Sequence, residues 1–124
     1  MTRILIIEDT AAIQYMLRYF FNKIGCEVDI ALTLAEGKAL LEKNVYCLIL
    51  LDHNLPDGHG IDFLTYLRRD LKFTNPIVVM TASQQDFVEN EAMKRGADDF
   101  LLKPFGTNEL DKLFQKWAKN CVET

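Results

Sequence analysis

Excess positive charge, a long apolar run and paired cysteines are all missing from this sequence, and each absence closes off a class of function. With 14 Lys and Arg against 18 Asp and Glu the formal net charge is −4, whereas phosphate-backbone binding needs clustered cations, so no nucleic-acid surface is expected of this domain alone. Lys112, Lys116 and Lys119 do recur near the end, but Glu109 and Asp111 interrupt them, as on a solvated helix face. No stretch approaches the roughly 20 consecutive apolar residues that span a bilayer. The opening Met1-Thr2-Arg3 runs straight into an apolar segment without a leader pattern, so no membrane association and a cytoplasmic location are expected. Cys26, Cys47 and Cys121 are an odd set without metal-ligand or redox spacing, and they read as reduced packing residues. With only 3 Pro and 6 Gly there is no linker, no Gly-rich turn after the first apolar run and no Gly-x4-Gly-Lys-Ser/Thr loop. At 124 residues the chain is expected to form one domain, 1–124.

What is present is a regular alternation. Short apolar, β-branched-rich runs occupy Arg3 to Ile7, Cys47 to Leu51, Ile77 to Met80 and Asp99 to Leu102, with a weaker one from Glu27 to Ala31. Three are continuous in apolar residues, the pattern of a strand buried on both faces. Between them the period is helical. Ile13, Met16, Leu17, Phe20, Phe21 and Ile24 form one stripe, and Leu110, Leu113, Phe114, Trp117, Ala118 and Cys121 repeat its spacing. Leu34 to Lys43, Ile61 to Asp70 and Phe87 to Arg95 are shorter helical stretches, and the last is thin in large apolar residues, with Val88 and Ala92 its main anchors. Five strand-helix repeats predict an α/β fold with a parallel sheet, right-handed crossovers and helices on both faces. Ligands of such sheets sit beyond the carboxyl ends of the strands.

Four polar residues stand there: Asp9, Asp52, Thr81 and Lys103, with Glu8 beside Asp9. Each has an ordinary explanation. Asp9 or Thr10 suits a helix N-cap, Asp52 precedes the turn formers Asn54, Pro56, Asp57 and Gly58, and Lys103-Pro104 can simply end a strand. Convergence of three carboxylates, a hydroxyl and an ammonium group from separate segments on one sheet edge is not explained that way. Crowded carboxylates attract a hard cation, and Mg2+ keeps open positions for water and phosphate. Asp52 then serves as nucleophile while Lys103 and Thr81 hold phosphoryl oxygens, giving an aspartyl phosphate.

The segments Ile4-Leu-Ile-Ile-Glu8-Asp9, Leu48-Ile-Leu-Leu-Asp52 with Leu55-Pro56 and Gly60, Val79-Met-Thr81-Ala82, and Gly96 through Phe100 to Lys103-Pro104-Phe105 resemble the response-regulator receiver domains of two-component signalling, over essentially the whole chain. The resemblance implies a (βα)5 flavodoxin-like three-layer sandwich with strand order 2-1-3-4-5. It implies Asp52 as phosphoacceptor, Asp9 as a direct Mg2+ ligand, Glu8 as a ligand through water and Asn54 as a ligand through its backbone carbonyl. Thr81 and Phe100 would be the switch pair, Lys103 the phosphoryl partner, Asn54 and Ala82 backbone contacts to the phosphoryl group, and Lys103-Pro104 a cis bond. The implied partners are a sensor histidine kinase or histidine phosphotransfer protein and an unknown protein effector, the chain being a monomer or a weak phosphorylation-dependent dimer. It would catalyse only its own phosphorylation and dephosphorylation.

Two positions depart from the family's habit. Phe100 stands where tyrosine is common and lacks the hydroxyl that marks a switch position; His59 stands where the family often has Asp. Both His53 and His59 are expected to be exposed loop residues. Tyr15 and Tyr19, four apart and opposite the first stripe, are expected to be exposed as anchors for the phosphodonor. Three other readings remain: a nucleotide- or flavin-binding flavodoxin-like domain, a hydrolase with an aspartyl nucleophile resembling the haloacid dehalogenases, and a degenerate receiver acting as a scaffold. The missing Gly-rich loop disfavours the first, and the second lacks both the second acid after Asp52 and a cap domain. Retention of all five site residues disfavours the third.

Overall fold

The computed structural model describes residues 3–82 and 86–119, so Cys121, expected on the last helix, lies outside the described residues. Strand β1 (Arg3–Ile7) leads to α1 (Ala11–Lys23), β2 (Glu27–Ala31) to α2 (Leu34–Lys43), and β3 (Leu48–Asp52) to a short antiparallel hairpin, Asn54–Leu55 with Gly58–His59. Next come α3 (Gly60–Thr65), which runs on through a π-helical turn at Tyr66–Asp70, β4 (Ile77–Thr81), α4 (Asp86–Lys94), β5 (Asp99–Leu102) and α5 (Thr107–Leu113), extended by a second π-helical turn at Phe114–Ala118. The five main strands are all parallel, in the order β2-β1-β3-β4-β5.

The continuous apolar runs become strands because both faces of the sheet are covered. Ile4, Ile6, Leu48, Leu50, Val78 and Met80 face the α1–α5 layer, where Leu17, Phe21, Leu110 and Leu113 meet them. Leu5, Ile7, Ile49, Leu51, Ile77 and Val79 face the other layer, with Leu64, Leu67 and Ala92. Residues one apart thus serve opposite cores, as the period of a strand requires. Helix α4 is thinly held: among its described side chains the buried ones are the small Val88 and Ala92, while Phe87 and Met93 are exposed, so little apolar area fixes it to the sheet.

Two polar residues end strands instead of following them, which corrects the expected bounds of Cys47 to Leu51 and Ile77 to Met80. The ladder simply continues: Asp52 pairs with Met80 and Thr81 with Leu102, and His53 N donates to Met80 O at 2.9 Å. At the other end Cys47 lies outside the strand. Asp57, read as a turn former, does more than turn the chain. Its carboxylate accepts from Leu34 N and Ala35 N at 2.9 and 3.1 Å, capping α2 from the hairpin. At Gly96, φ is +108°, and a Cβ there would meet the Arg68 side chain at 2.8 Å, so only glycine suits both the backbone and the packing.

Candidate functional site

The carboxyl edge of the sheet gathers the expected group. Glu8 follows β1, Asp52 ends β3, Thr81 ends β4 and Lys103 follows β5. Lys103 is fixed at its backbone, where its N donates to Thr81 O at 2.8 Å before a cis Lys103-Pro104 bond. Its Nζ reaches across the edge to Glu8 Oε1 at 2.5 Å and Asp52 Oδ1 at 3.1 Å. Carboxylate oxygens of Glu8, Asp9 and Asp52 all lie within 4.8 Å of one another. Glu8 and Thr81 are fully buried and Asp52 nearly so, while Asp9 is exposed at the rim.

Glu8 is the most constrained member. Its Oε2 accepts from Asp9 N at 3.0 Å, its own N donates to Ala31 O at 2.9 Å, and Gln14 Nε2 on α1 donates to its carbonyl at 2.6 Å. Burial pushes the Glu8 carboxyl up to about 7; the Lys103 hydrogen bond opposes this and Asp52 adds to it. Burial likewise disfavours the Lys103 ammonium, but Glu8 and Asp52 outweigh it and raise its pKa. The balance is simple: one cation serves two buried carboxylates, with a third acid at the rim. The surplus negative charge draws in either a proton, at Glu8, or a cation.

A hard divalent cation such as Mg2+ fits that donor set. The ligands are all oxygen, Asp9 offers a solvent-facing side for retained waters, and the surplus charge is of the matching sign. Without the cation, a pH dependence follows. Because the folded-state pKa of Glu8, about 7, exceeds its ordinary 4.5, the native state holds more protons between those values, and stability falls as pH rises through that window. Urea midpoints in chelator should therefore decline from pH 5 to pH 8 more steeply in the wild type than in Glu8→Gln. Equal slopes would contradict the assignment.

The remaining expected residues fall as follows. Asn54 opens the hairpin two residues after Asp52 and is exposed, as is Ala82 just past β4. Phe100 on β5 is half-buried and packs on the core beneath α3 and α4. Tyr15 and Tyr19 are 74% and 61% exposed, as expected, and His59 is exposed. His53 is not. It is buried, with its ring stacked on His59 at 5.3 Å between centroids and its Nδ1 without a partner among the described residues. Sheet pairing carries the chain one residue past Asp52 and the hairpin folds back over it. Burial first, then His59, pushes its pKa down and so favours the neutral ring. Sequence reasoning missed Gln14, whose helical position carries no signal, and the role of Gly60, which the motif contains without explaining.

Against known proteins, the family description "Response regulator receiver domain" matches residues 4–115. The chain belongs to that family. Receiver-domain relatives include the KDP operon transcriptional regulatory protein KdpE of Escherichia coli (strain K12), 40% identical over 110 residues that make up 89% of this chain and 48% of that protein. The transcriptional regulatory protein PmrA of Pectobacterium parmentieri is 33% identical over 108 residues, 87% of this chain and 48% of that protein. Among solved structures, the CheY-like receiver domain protein from Methanospirillum hungatei JF-1 matches with a TM-score of 0.87 at 29% identity, over 100% of this chain and 99% of that one. A two-component response regulator from Clostridium difficile matches with a TM-score of 0.85 at 32% identity, covering 93% of this chain and 94% of that one. This receiver domain spans about half the length of the curated relatives it matches. Among its described residues no helix is long and apolar enough to cross a membrane.

Proposed function

We propose that this receiver domain, taken as the unit 1–124, accepts a phosphoryl group on Asp52 with Mg2+ present. The donor would be the phosphohistidine of a sensor histidine kinase or histidine phosphotransfer protein in the cytoplasm. The observation that carries this reading is Lys103 Nζ held between Asp52 Oδ1 and Glu8 Oε1 at the rim marked by Asp9. An Asp52 oxygen attacks phosphorus, the phosphorus–nitrogen bond of the donor breaks, and the departing imidazole keeps the bonding pair and takes a proton. Lys103 supplies a preorganised positive charge to the phosphoryl oxygens, which costs nothing in reorganisation as the reaction proceeds. The Thr81 hydroxyl and the backbone at Asn54 and Ala82 take the remaining oxygens. Asp9, Asp52, the Asn54 carbonyl and, through water, Glu8 would hold Mg2+. When bound, the ion neutralises charge on the transferring group. Attack of water on the phosphoryl group at the same site returns Asp52, so the domain catalyses its own modification and its removal, and no other turnover.

The signal would leave through the side of the sheet that carries α4. Engagement of Thr81 by the phosphoryl group draws it inward and frees room for Phe100, and α4, anchored by Val88 and Ala92, follows. Beside it, Trp117 Nε1 donates to Asp99 Oδ2 at 2.8 Å and so ties β5 to the π-helical extension of α5. The exposed pair Tyr15 and Tyr19 supports docking of the donor on α1. A small acyl phosphate suffices to test the reading, because every group invoked lies within this chain. Intact mass should show one added phosphoryl group with Mg2+ and none in excess chelator, and Asp9→Ala should lose most of the Mg2+ effect. Labelling that ignores both the chelator and Asp9 would sink the proposal.

A further inference from the structure

A groove of about 810 Å³ lies between α3 and α4, lined by Asp62, Thr65, Arg68, Arg69, Lys94 and Arg95. None of these belongs to the phosphoryl site. In a chain whose net charge is −4, four cations on one groove are a local reversal of sign. Two of the four are pinned. Arg68 donates to Gly96 O at 2.9 Å, Phe73 O at 2.7 Å, Asn75 O at 2.9 Å and Asp98 Oδ2 at 2.7 Å. Arg95 pairs with Glu91 through Nε at 3.0 Å and with Asp62 through Nη1 at 2.7 Å. These contacts engage the carboxylates of Asp98, Asp62 and Glu91, and Arg95 Nη2 has no hydrogen-bond partner among the described residues. Arg69 and Lys94 are exposed and have no hydrogen-bond or ion-pair partner among the described residues.

We propose that this groove is a binding site for a small multiply charged phosphate of the diphosphate type. Two unpaired cations on facing helices match two anionic centres joined by one bridge, and the pinned guanidinium of Arg95 adds donors without a further ordering cost. Among the described residues the lining has no aromatic ring on which a nucleobase could stack, so the site reads the diphosphate and not a base. A cluster built only for solubility would not fix Arg68 on three backbone carbonyls and Arg95 between two carboxylates. The ligand ties α4 to α3, and α4 is the helix with the thinner buried face. Binding therefore slows its local opening.

Calorimetric titration with inorganic pyrophosphate, in chelator so that no Mg2+ competes, tests the site independently of the phosphoryl reading. Saturable binding is expected, at least tenfold weaker for orthophosphate and at least tenfold weaker in Arg69→Ala with Lys94→Ala. Both of those side chains are exposed, so the variant keeps the fold. Asp52→Asn should bind as the wild type does. Amide shifts should cluster at residues 62–69 and 94–96, with slower exchange at 87–94. No saturable binding, equal binding in the double variant, shifts centred on residues 8, 9 and 52, or unchanged exchange in α4 would each overturn the proposal. So would tight binding of an acidic peptide in place of pyrophosphate.

Discussion

Lys103→Met is expected to weaken the fold strongly at pH 8 and much less at pH 5, and to slow phosphoryl uptake by a large factor. The side chain is 13% exposed, and its ammonium is, among the described residues, the one cation bonded to both Glu8 and Asp52. Removing it leaves two buried carboxylates facing each other, and breaking a buried pair in this way costs on the order of 3 kcal/mol. The cost has a ceiling, because Glu8, already pushed up to about 7 by burial, can take a proton instead of bearing the repulsion. Lowering the pH therefore restores much of the lost stability, and so does Mg2+, which supplies the missing charge. Loss of one preorganised charge at the transferring group should also reduce the labelling rate by about 10²–10³. Urea midpoints at the two pH values, with and without Mg2+, read the first effect, and time courses with a small acyl phosphate read the second. A variant equally stable at both pH values would show that Lys103 does not hold the acids together.

Gly60→Ala should be as damaging by a different route. A Cβ at this position would overlap the Asp52 carbonyl oxygen and lie 3.0 Å from His53 Cα and 3.1 Å from Asp52 C. All three are backbone atoms at the end of β3, and Gly60 N donates to His53 O at 2.6 Å, so neither side can give way alone. Either α3 lifts from the hairpin or the end of β3 shifts, and overpacking of this kind costs about 3 kcal/mol. A shift also moves the Asp52 carboxylate relative to Lys103, and a displacement near 1 Å can cost about 10² in rate. Thermal melts together with initial labelling rates, normalised to folded protein, measure both. Stability and rate close to the wild type would mean that the backbone there yields freely.

The fold was legible because buried parallel strands announce themselves. Ile4 to Ile7, Leu48 to Leu51 and Ile77 to Met80 are unbroken apolar runs, and each serves two cores at once. Their ends were less legible, since Asp52 and Thr81 are polar yet still paired in the ladder. Helical periodicity placed α3 from Ile61 to Asp70, but it carries no information about the π-helical turn at Tyr66–Asp70. The convergence of Glu8, Asp9, Asp52 and Lys103 could be foreseen, because parallel topology sends every strand's carboxyl end to one edge. What could not be foreseen depends on contacts distant in sequence: Asp57 capping α2 across 23 residues, and the burial of His53 under the hairpin. A histidine after a strand, before turn formers, looks exposed until the fold over it is known.

The most direct measurement for the central claim is the location of the label. The wild type would be incubated with a small acyl phosphate and Mg2+, the acyl phosphate reduced in place with borohydride, and the chain digested and mapped by peptide mass. The account predicts a single modified residue, Asp52, and no modified peptide from Asp52→Asn. Reduction at Asp9 or Glu8 in the wild type, or equal labelling of the Asn variant, would contradict it.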